Sequence, residues 1–380
     1  MRKSKIIESK EKTFFFKGRG VPKGCKYCLE GAKAVLFLNG ICQRPDHCSW
    51  YCPISTERRN KEITFVNEIR ITSEQDILEE FYKTDAKGMS ITGGEPLLES
   101  NLSKTLRYIK FAKLSMGKKF HIHLYTNGIN FNENIAEHLN LAGLDEIRFH
   151  PSKDNWSKIE IALERNITVG AEVPVIPSEN NIKNLERFIF YLDNIGANFI
   201  NLNEFEYCFP NSQSLKNRGF SLKEGSVASV LNSHEAALKL MNKLGPKITL
   251  KVHFCSIITK DYYQLKNRYI RRARNIKLPY EVINDDGLLL FGQVEGEKEQ
   301  LTNFYNYLLS KFEISESLLV NERNTIKIPL YLSINNKIIS LIEKFQLECY
   351  VIEMTPFRNP TYQQITEKTP IRLFKKEYGI

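Results

Sequence analysis

The feature that most restricts this chain is a repeated alternation, between residues 33 and 207, of short apolar runs with longer amphipathic segments. The short runs, at 33–38, 88–92, 121–126, 146–150, 169–175 and 199–204, have the length and composition of strands. The segments between them, at 73–83, 102–114, 132–141, 156–165 and 182–195, carry apolar residues at helical spacing. Thr72-Ser73-Glu74-Gln75 reads as a capping box opening the first of these helices. Strands separated by helices are parallel, since a parallel pair needs a crossover and not a hairpin. The fold class is therefore α/β, with a parallel sheet either doubly wound or curled into a partial barrel. In both arrangements ligands gather at the carboxyl ends of the strands, so chemistry-bearing residues belong just after each run.

Downstream the pattern changes. Residues 208–246 are irregular and polar, followed by a strand at 248–254 and a basic helix from Asp261. Asp285-Asp286-Gly287 marks a hairpin turn. Helices near 297–312 and 335–345 and strands near 317–332 and 348–354 then make a small α+β domain. The expected division is an N-terminal extension at 1–32, a core with its elaboration at 33–280 and the α+β domain at 281–380.

No apolar run approaches the ~20 residues that span a bilayer, and Met1 to Lys12 is charged, unlike a secretory signal. The expected location is cytoplasmic, without a membrane partner. Eight cysteines in a reducing compartment are not a disulfide framework. Five of them, Cys25, Cys28, Cys42, Cys48 and Cys52, crowd into one stretch, which points to metal or redox chemistry.

Cys42, Cys48 and Cys52 follow the first strand run. Three thiolates on one loop can hold three irons of a [4Fe–4S] cubane, soft sulfur being what such clusters require. The next cysteine is Cys208, which leaves one iron open for a ligand. A zinc site closed by His47 as fourth ligand is the competing reading. After the second run comes Thr92-Gly93-Gly94-Glu95-Pro96. There glycines admit a ligand to the backbone, and Glu95 offers a carboxylate to an ammonium group.

With the cysteine loop after strand one, Gly-Gly-Glu-Pro after strand two and Tyr125-Thr126-Asn127-Gly128 after strand three, residues 33–210 resemble the radical S-adenosylmethionine (SAM) superfamily. Lys23-Gly24-Cys25-Lys26-Tyr27-Cys28, 120–126, 145–151 and His253-Phe254-Cys255 resemble, more narrowly, archaeal proteins related to the pyruvate formate-lyase-activating enzyme. The usual loop of the superfamily is C-x3-C-x2-C, whereas this one is C-x5-C-x3-C, with Tyr51 in the aromatic place beside the adenine. The resemblance implies a partial (β/α)6 barrel and a [4Fe–4S] cluster that reductively cleaves SAM to a 5′-deoxyadenosyl radical, which abstracts hydrogen from a substrate. It implies an electron donor such as ferredoxin or flavodoxin. The SAM contacts it suggests are Tyr51, Gly93, Gly94, Glu95, Thr126, Asn127, Arg148 and Asn203. Arg148 would pair with the methionyl carboxylate if it faces the ligand; alternation with Ile147 and Phe149 leaves its side of the strand open.

Cys25 and Cys28, with His253 and Cys255, form a candidate second metal site for zinc or an auxiliary Fe–S cluster, against a reading of free thiols and a hydrogen-bonded histidine. His121 and His123 share a face of their strand by alternation. Polar residues at strand ends, Glu172, Asn201, Asn203, Glu204 and Glu206, suggest a hydrophilic substrate. The net charge of +10, from 54 Lys and Arg against 44 Asp and Glu, favours an anionic partner. Arg268, Arg271 and Arg274 on the basic helix are candidate phosphate contacts, although such a face can simply be solvated. RNA or a nucleotide is therefore the first substrate expectation, a protein substrate the second, and a non-catalytic Fe–S or zinc RNA-binding protein the reading from another class.

Overall fold

The computed structural model of the chain describes residues 4–43 and 47–380. They divide into two compact units, the described residues up to 82 with 86–265 and residues 83–85 with 266–380.

The first unit contains strands β1 (Ile6–Glu8), β2 (Phe14–Phe16), β3 (Lys33–Phe37), β4 (Phe65–Val66), β5 (Ile69–Arg70), β6 (Gly88–Thr92), β7 (His121–Thr126), β8 (Glu146–Phe149), β9 (Thr168–Val175), β10 (Phe199–Glu204) and β11 (Lys251–Cys255). Its α-helices are α1 (Lys23–Leu29), α2 (Glu74–Lys83), α3 (Glu99–Met116), α4 (Glu133–Ala142), α5 (Lys158–Leu163), α6 (Glu179–Asn194), α7 (Ser212–Lys216) and α8 (Ser233–Leu244). Among the described residues the strands form one sheet in the order β1-β2-β11-β10-β9-β8-β7-β6-β3-β4-β5. From β3 to β11 every neighbouring pair is parallel. Parallel strands laid down in sequential order, each joined by a right-handed crossover, put their helices on one face and curl the sheet around the other. The result is the expected partial barrel, with β11 as a seventh parallel strand. The antiparallel hairpins β1–β2 and β4–β5 cover its two edges, which would otherwise offer unpaired backbone groups. The residues before 33 are thus built into the sheet.

The two faces of the strands differ sharply. Outward residues, Ala34, Leu36, Met89, Ile91, Ile122, Leu124, Ile147, Phe149, Val169, Ala171, Ile200, Leu202, Val252 and Phe254, belong to one buried apolar core. The alternate positions carry Lys33, Ser90, His121, His123, Glu146, Arg148, Glu172, Asn201 and His253. The barrel has an oily shell and a polar lumen. Into that lumen α1 brings its glycine: a Cβ on Gly24 would meet the Arg148 guanidinium and stand 2.5 Å from His123 Nδ1 and 2.8 Å from Glu146 Oε1. The capping box of α2 is shifted by one residue, since Asp76 accepts from the Ser73 amide at 2.9 Å while its own amide donates to Ser73 Oγ at 3.3 Å.

The second unit holds α9 (Leu265–Ile276, from Lys266 onward), β12 (Val282–Ile283), β13 (Leu289–Glu295), α10 (Lys298–Lys311), β14 (Val320–Glu322), β15 (Thr325–Ile328), α11 (Leu330–Ser333), α12 (Asn336–Lys344), β16 (Glu348–Met354), β17 (Ile365–Pro370) and α13 (Ile371–Tyr378). Its antiparallel sheet runs β14-β15-β13-β16-β17, with β12 added on β13 through the expected turn at Asp285–Gly287. This is the α+β character read from the sequence.

Candidate functional site

The cysteine loop leaves β3 at the carboxyl end of the barrel. It is closed at its base where the Gly40 amide donates to the Lys61 carbonyl and the Asn60 amide to the Gly40 carbonyl, each at 2.9 Å. Cys42, Cys48 and Cys52 are half-buried, unbridged thiols. Around Cys52 the chain is held from outside. The Tyr51 hydroxyl and His150 Nε2 are hydrogen-bonded at 2.8 Å, and burial lowers His150 to about 3, so its ring is neutral. The Tyr51 carbonyl accepts from Asn211 Nδ2 at 3.0 Å and the Cys52 carbonyl from Arg59 at 2.7 Å. Trp50 packs on Phe205 and Phe220 under the Arg218 guanidinium. Tyr51, expected beside an adenine, thus lies against His150 and Phe205.

Among the described residues no three His, Cys, Asp or Glu side chains are gathered into a metal-ligand set. Two observations nonetheless fit the loop to an iron–sulfur group. It carries three cysteine thiols, which are soft donors, and both polar atoms of the Gln43 amide, next to Cys42, are buried with no hydrogen-bond partner among the described residues. A buried amide in that condition costs free energy unless something else satisfies it.

The Gly-Gly-Glu-Pro element packs on the backbone that leads into the cysteine loop. The Gly94 amide donates to the Asn39 carbonyl at 2.6 Å and the Glu95 amide to the Ile41 carbonyl at 2.8 Å, and a Cβ on Gly94 would collide with that carbonyl. Gly93 and Gly94 therefore admit the backbone that leads into the cysteine loop, where a ligand was expected. The Glu95 carboxylate, proposed for a ligand ammonium, instead accepts from Thr126 Oγ at 2.8 Å, the Asn127 amide at 2.8 Å and the Leu97 amide at 2.9 Å. Burial raises it to about 7 against the pull of those donors. Thr126 and Asn127 are buried in this same knot, Asn127 Oδ1 accepting from the Ile129 amide at 2.9 Å. Glu95 welds the second and third motifs together.

Arg148 faces the lumen and is 1% exposed. Its guanidinium lies 2.5 Å from Glu146 and 2.6 Å from Glu172, so two protein carboxylates neutralise it. Against the cost of burial, Arg148 and His121 hold Glu146 down to about 2. Half-buried Asn203 donates to Glu172 at 2.9 Å, and Asn201 donates to the same carboxylate at 2.8 Å. Lys33 donates to His121 at 2.7 Å, and burial brings it down to about 7. Glu204 is engaged outside the lumen, accepting from the Ile257 amide.

The second metal set is not assembled either. His253 uses both ring nitrogens, with Thr13 at 2.5 Å and Asn201 at 3.0 Å, which leaves no lone pair for a metal. Cys25 accepts from Asn201 at 3.1 Å and Cys255 from Gln264 at 3.6 Å, and burial raises both thiols. On α9, Arg271 is committed to Asp85 and to the Thr84 carbonyl, while Arg268 is half-buried and Arg274 exposed. Asn211 escaped the sequence reading because it lies far from the cysteines in sequence, in an irregular stretch without motif or period. His150 carried a signal in its place just after a strand.

Residues 17–153 match the family model described as the radical SAM superfamily. A protein of Methanocaldococcus jannaschii named "Putative glycyl-radical enzyme activating enzyme" is 39% identical over an alignment of 285 residues that covers 72% of this chain and 73% of that protein. The chain belongs to the radical SAM superfamily. It is an enzyme of that class, and the superfamily's cofactors are a [4Fe–4S] cluster and SAM. Among solved structures it is similar to Streptococcus suis SuiB bound to precursor peptide SuiA, with TM-score 0.42 and 10% identity over 61% of this chain and 51% of that one. It is also similar to the Escherichia coli coproporphyrinogen III oxidase HemN, with TM-score 0.32 and 9% identity over 71% and 82% of the two chains. Among the described residues no helix is long and apolar enough to cross a membrane.

Proposed function

We propose that this radical SAM enzyme holds its cluster on Cys42, Cys48 and Cys52 and acts on a protein, abstracting hydrogen from a backbone glycine as a glycyl-radical enzyme activator. The observation that carries the substrate class is the 39% identity, across most of both chains, with a relative bearing that name. When bound, the cluster supplies the electron that cleaves SAM to methionine and a 5′-deoxyadenosyl radical.

The chain's own residues provide the setting. Glu95 fixes the Gly-Gly-Glu-Pro turn to the Thr126–Asn127 turn, so two of the strand-end loops keep one geometry while a ligand comes and goes. The apolar shell and the ion-paired lumen below the mouth keep bulk water from entering from beneath. The half-buried polar edge of Glu172 and Asn203 is the upper surface of that lumen and the surface a substrate backbone would meet. An RNA substrate is disfavoured because Arg271, the middle residue of the basic face, is spent on Asp85.

The test is 5′-deoxyadenosine formation by the reconstituted, reduced enzyme in the presence of total protein or of total RNA from the source cells. Stimulation by the protein fraction, lost on protease treatment, is expected. Stimulation by RNA alone would replace this reading with a nucleic-acid substrate.

A further inference from the structure

The wide C-x5-C-x3-C spacing is a motif that the function does not absorb. Residues added between two ligands loosen a loop, because each additional backbone residue must be ordered for the same three anchor points. A chain that keeps such a loop needs constraints from outside it, and the structure supplies one at the last cysteine. Asn211, 2% exposed, lies just before α7, in the turn after β10. Its amide nitrogen donates to the Tyr51 carbonyl and to the Glu206 carbonyl, both at 3.0 Å, while its oxygen accepts from the Cys208 amide at 2.9 Å. One buried side chain thus staples the residue before Cys52 to the turn that follows the sixth barrel strand. The staple is reinforced next door, where Trp50 packs on Phe205 and Phe220 and Tyr51 bonds His150.

We propose that Asn211 is a positioning residue for the iron–sulfur cluster, fixing Cys52 in place of the constraint that a shorter loop would provide for itself. The inference rests on the assignment of Cys42, Cys48 and Cys52 as ligands. Asn211 does not touch the reacting atoms; it acts through the Tyr51 carbonyl. The same contact makes the turn at 206–211, on the rim of the mouth, continuous with the cluster loop.

Asn211→Asp tests it, because the aspartate keeps the acceptor for the Cys208 amide and loses both donors. The control is Ser233→Ala. Ser233 is also fully buried, accepting from the Phe205 amide and donating to the Val175 carbonyl at 2.8 Å each, but it does not reach the cysteine loop. Each protein is reconstituted anaerobically, its iron and sulfide counted, and the electron paramagnetic resonance (EPR) spectrum of the reduced cluster recorded with and without SAM.

The expected result for Asn211→Asp is cluster content reduced at least about twofold, or a full cluster whose spectrum no longer changes with SAM as the wild type's does, while Ser233→Ala keeps the wild-type content and spectrum. Asn211→Gln, which can still donate to the Tyr51 carbonyl, should recover part of the signal. A wild-type spectrum and content in Asn211→Asp would overturn the positioning role. Equal losses in Asn211→Asp and Ser233→Ala would overturn it too, reducing Asn211 to general stability. A wild-type chain that takes up no cluster would sink the ligand assignment itself, a failure distinct from both.

Discussion

Gly24→Ala sets two known effects against each other and lets the lumen decide. Gly24 lies in α1, and replacing a helical glycine by alanine in the open stabilises a helix by up to about 1 kcal/mol. In this chain the added methyl would press on the Arg148 guanidinium and stand 2.5 Å from His123 Nδ1 and 2.8 Å from Glu146 Oε1. None of the three is a flexible tip in solvent: His123 and Glu146 are fully buried, Arg148 nearly so, and Arg148 is held between two carboxylates. Overpacking alone costs about 1–3 kcal/mol. Pulling Arg148 away from Glu146 moves toward the ~3–5 kcal/mol of a broken buried pair. Set against the helical gain, the overpacking cost alone leaves a net loss of up to about 2 kcal/mol, and any loosening of the Arg148 pairs adds to it. Both tryptophans, Trp50 and Trp156, lie in the first unit, so their fluorescence during anaerobic urea unfolding reports on the barrel separately from the second unit. A Gly24→Ala protein as stable as the wild type, or more stable, would refute the placement of α1 in the lumen.

Other outcomes follow from the same structure. Burial holds His253 at about 4 while an unfolded histidine titrates near 6.5, so the folded state binds fewer protons between those values. Its contribution, roughly 3 kcal/mol, is present above pH 6.5 and lost as pH falls toward 4; urea midpoints of His253→Gln should decline less steeply over that window than those of the wild type. Glu95→Gln places an amide against three donors, and the unmet Asn127 or Leu97 amide should cost about 1–3 kcal/mol by urea unfolding; no loss would mean that the weld is not formed. Arg271→Ala breaks a pair whose Asp85 partner is largely exposed, so less than about 1 kcal/mol should be lost, with 5′-deoxyadenosine formation unchanged. A large fall in that activity would restore the basic helix as a substrate contact.

The parallel strand–helix alternation could be read because each strand had to bury its outward face against a helix, leaving Ile122, Leu124, Ile147 and Phe149 as visible markers. The inward face is legible too, once alternation is applied to every strand at once: His121, His123, Glu146, Arg148, Glu172 and Asn201 fall on one side. Taken one strand at a time, that pattern left Arg148 undecided, since period two gives two faces without saying which is inside. β11 was visible as a strand but not as a seventh barrel member, because its parallel register with Phe199–Asn203 is a long-range choice. The motifs at the strand ends were recognisable by order and composition. What those residues do was less so: the glycines of Gly-Gly-Glu-Pro face the backbone before the cysteine loop, and Glu95 faces Thr126 and Asn127. Local sequence gives the residue types at a mouth, whereas hydrogen-bond partners more than thirty positions away decide their use. Asn211 is the extreme case, 160 residues from Tyr51.

The measurement that bears most directly on the central claim is SAM cleavage by the chain itself. The protein is reconstituted anaerobically with iron and sulfide, reduced with dithionite, given SAM and assayed for 5′-deoxyadenosine beside the Cys42/Cys48/Cys52→Ala variant. The account predicts 5′-deoxyadenosine from the wild type and none above background from the variant. Equal formation by both, or a wild-type loop that takes up zinc and leaves SAM intact, would contradict it.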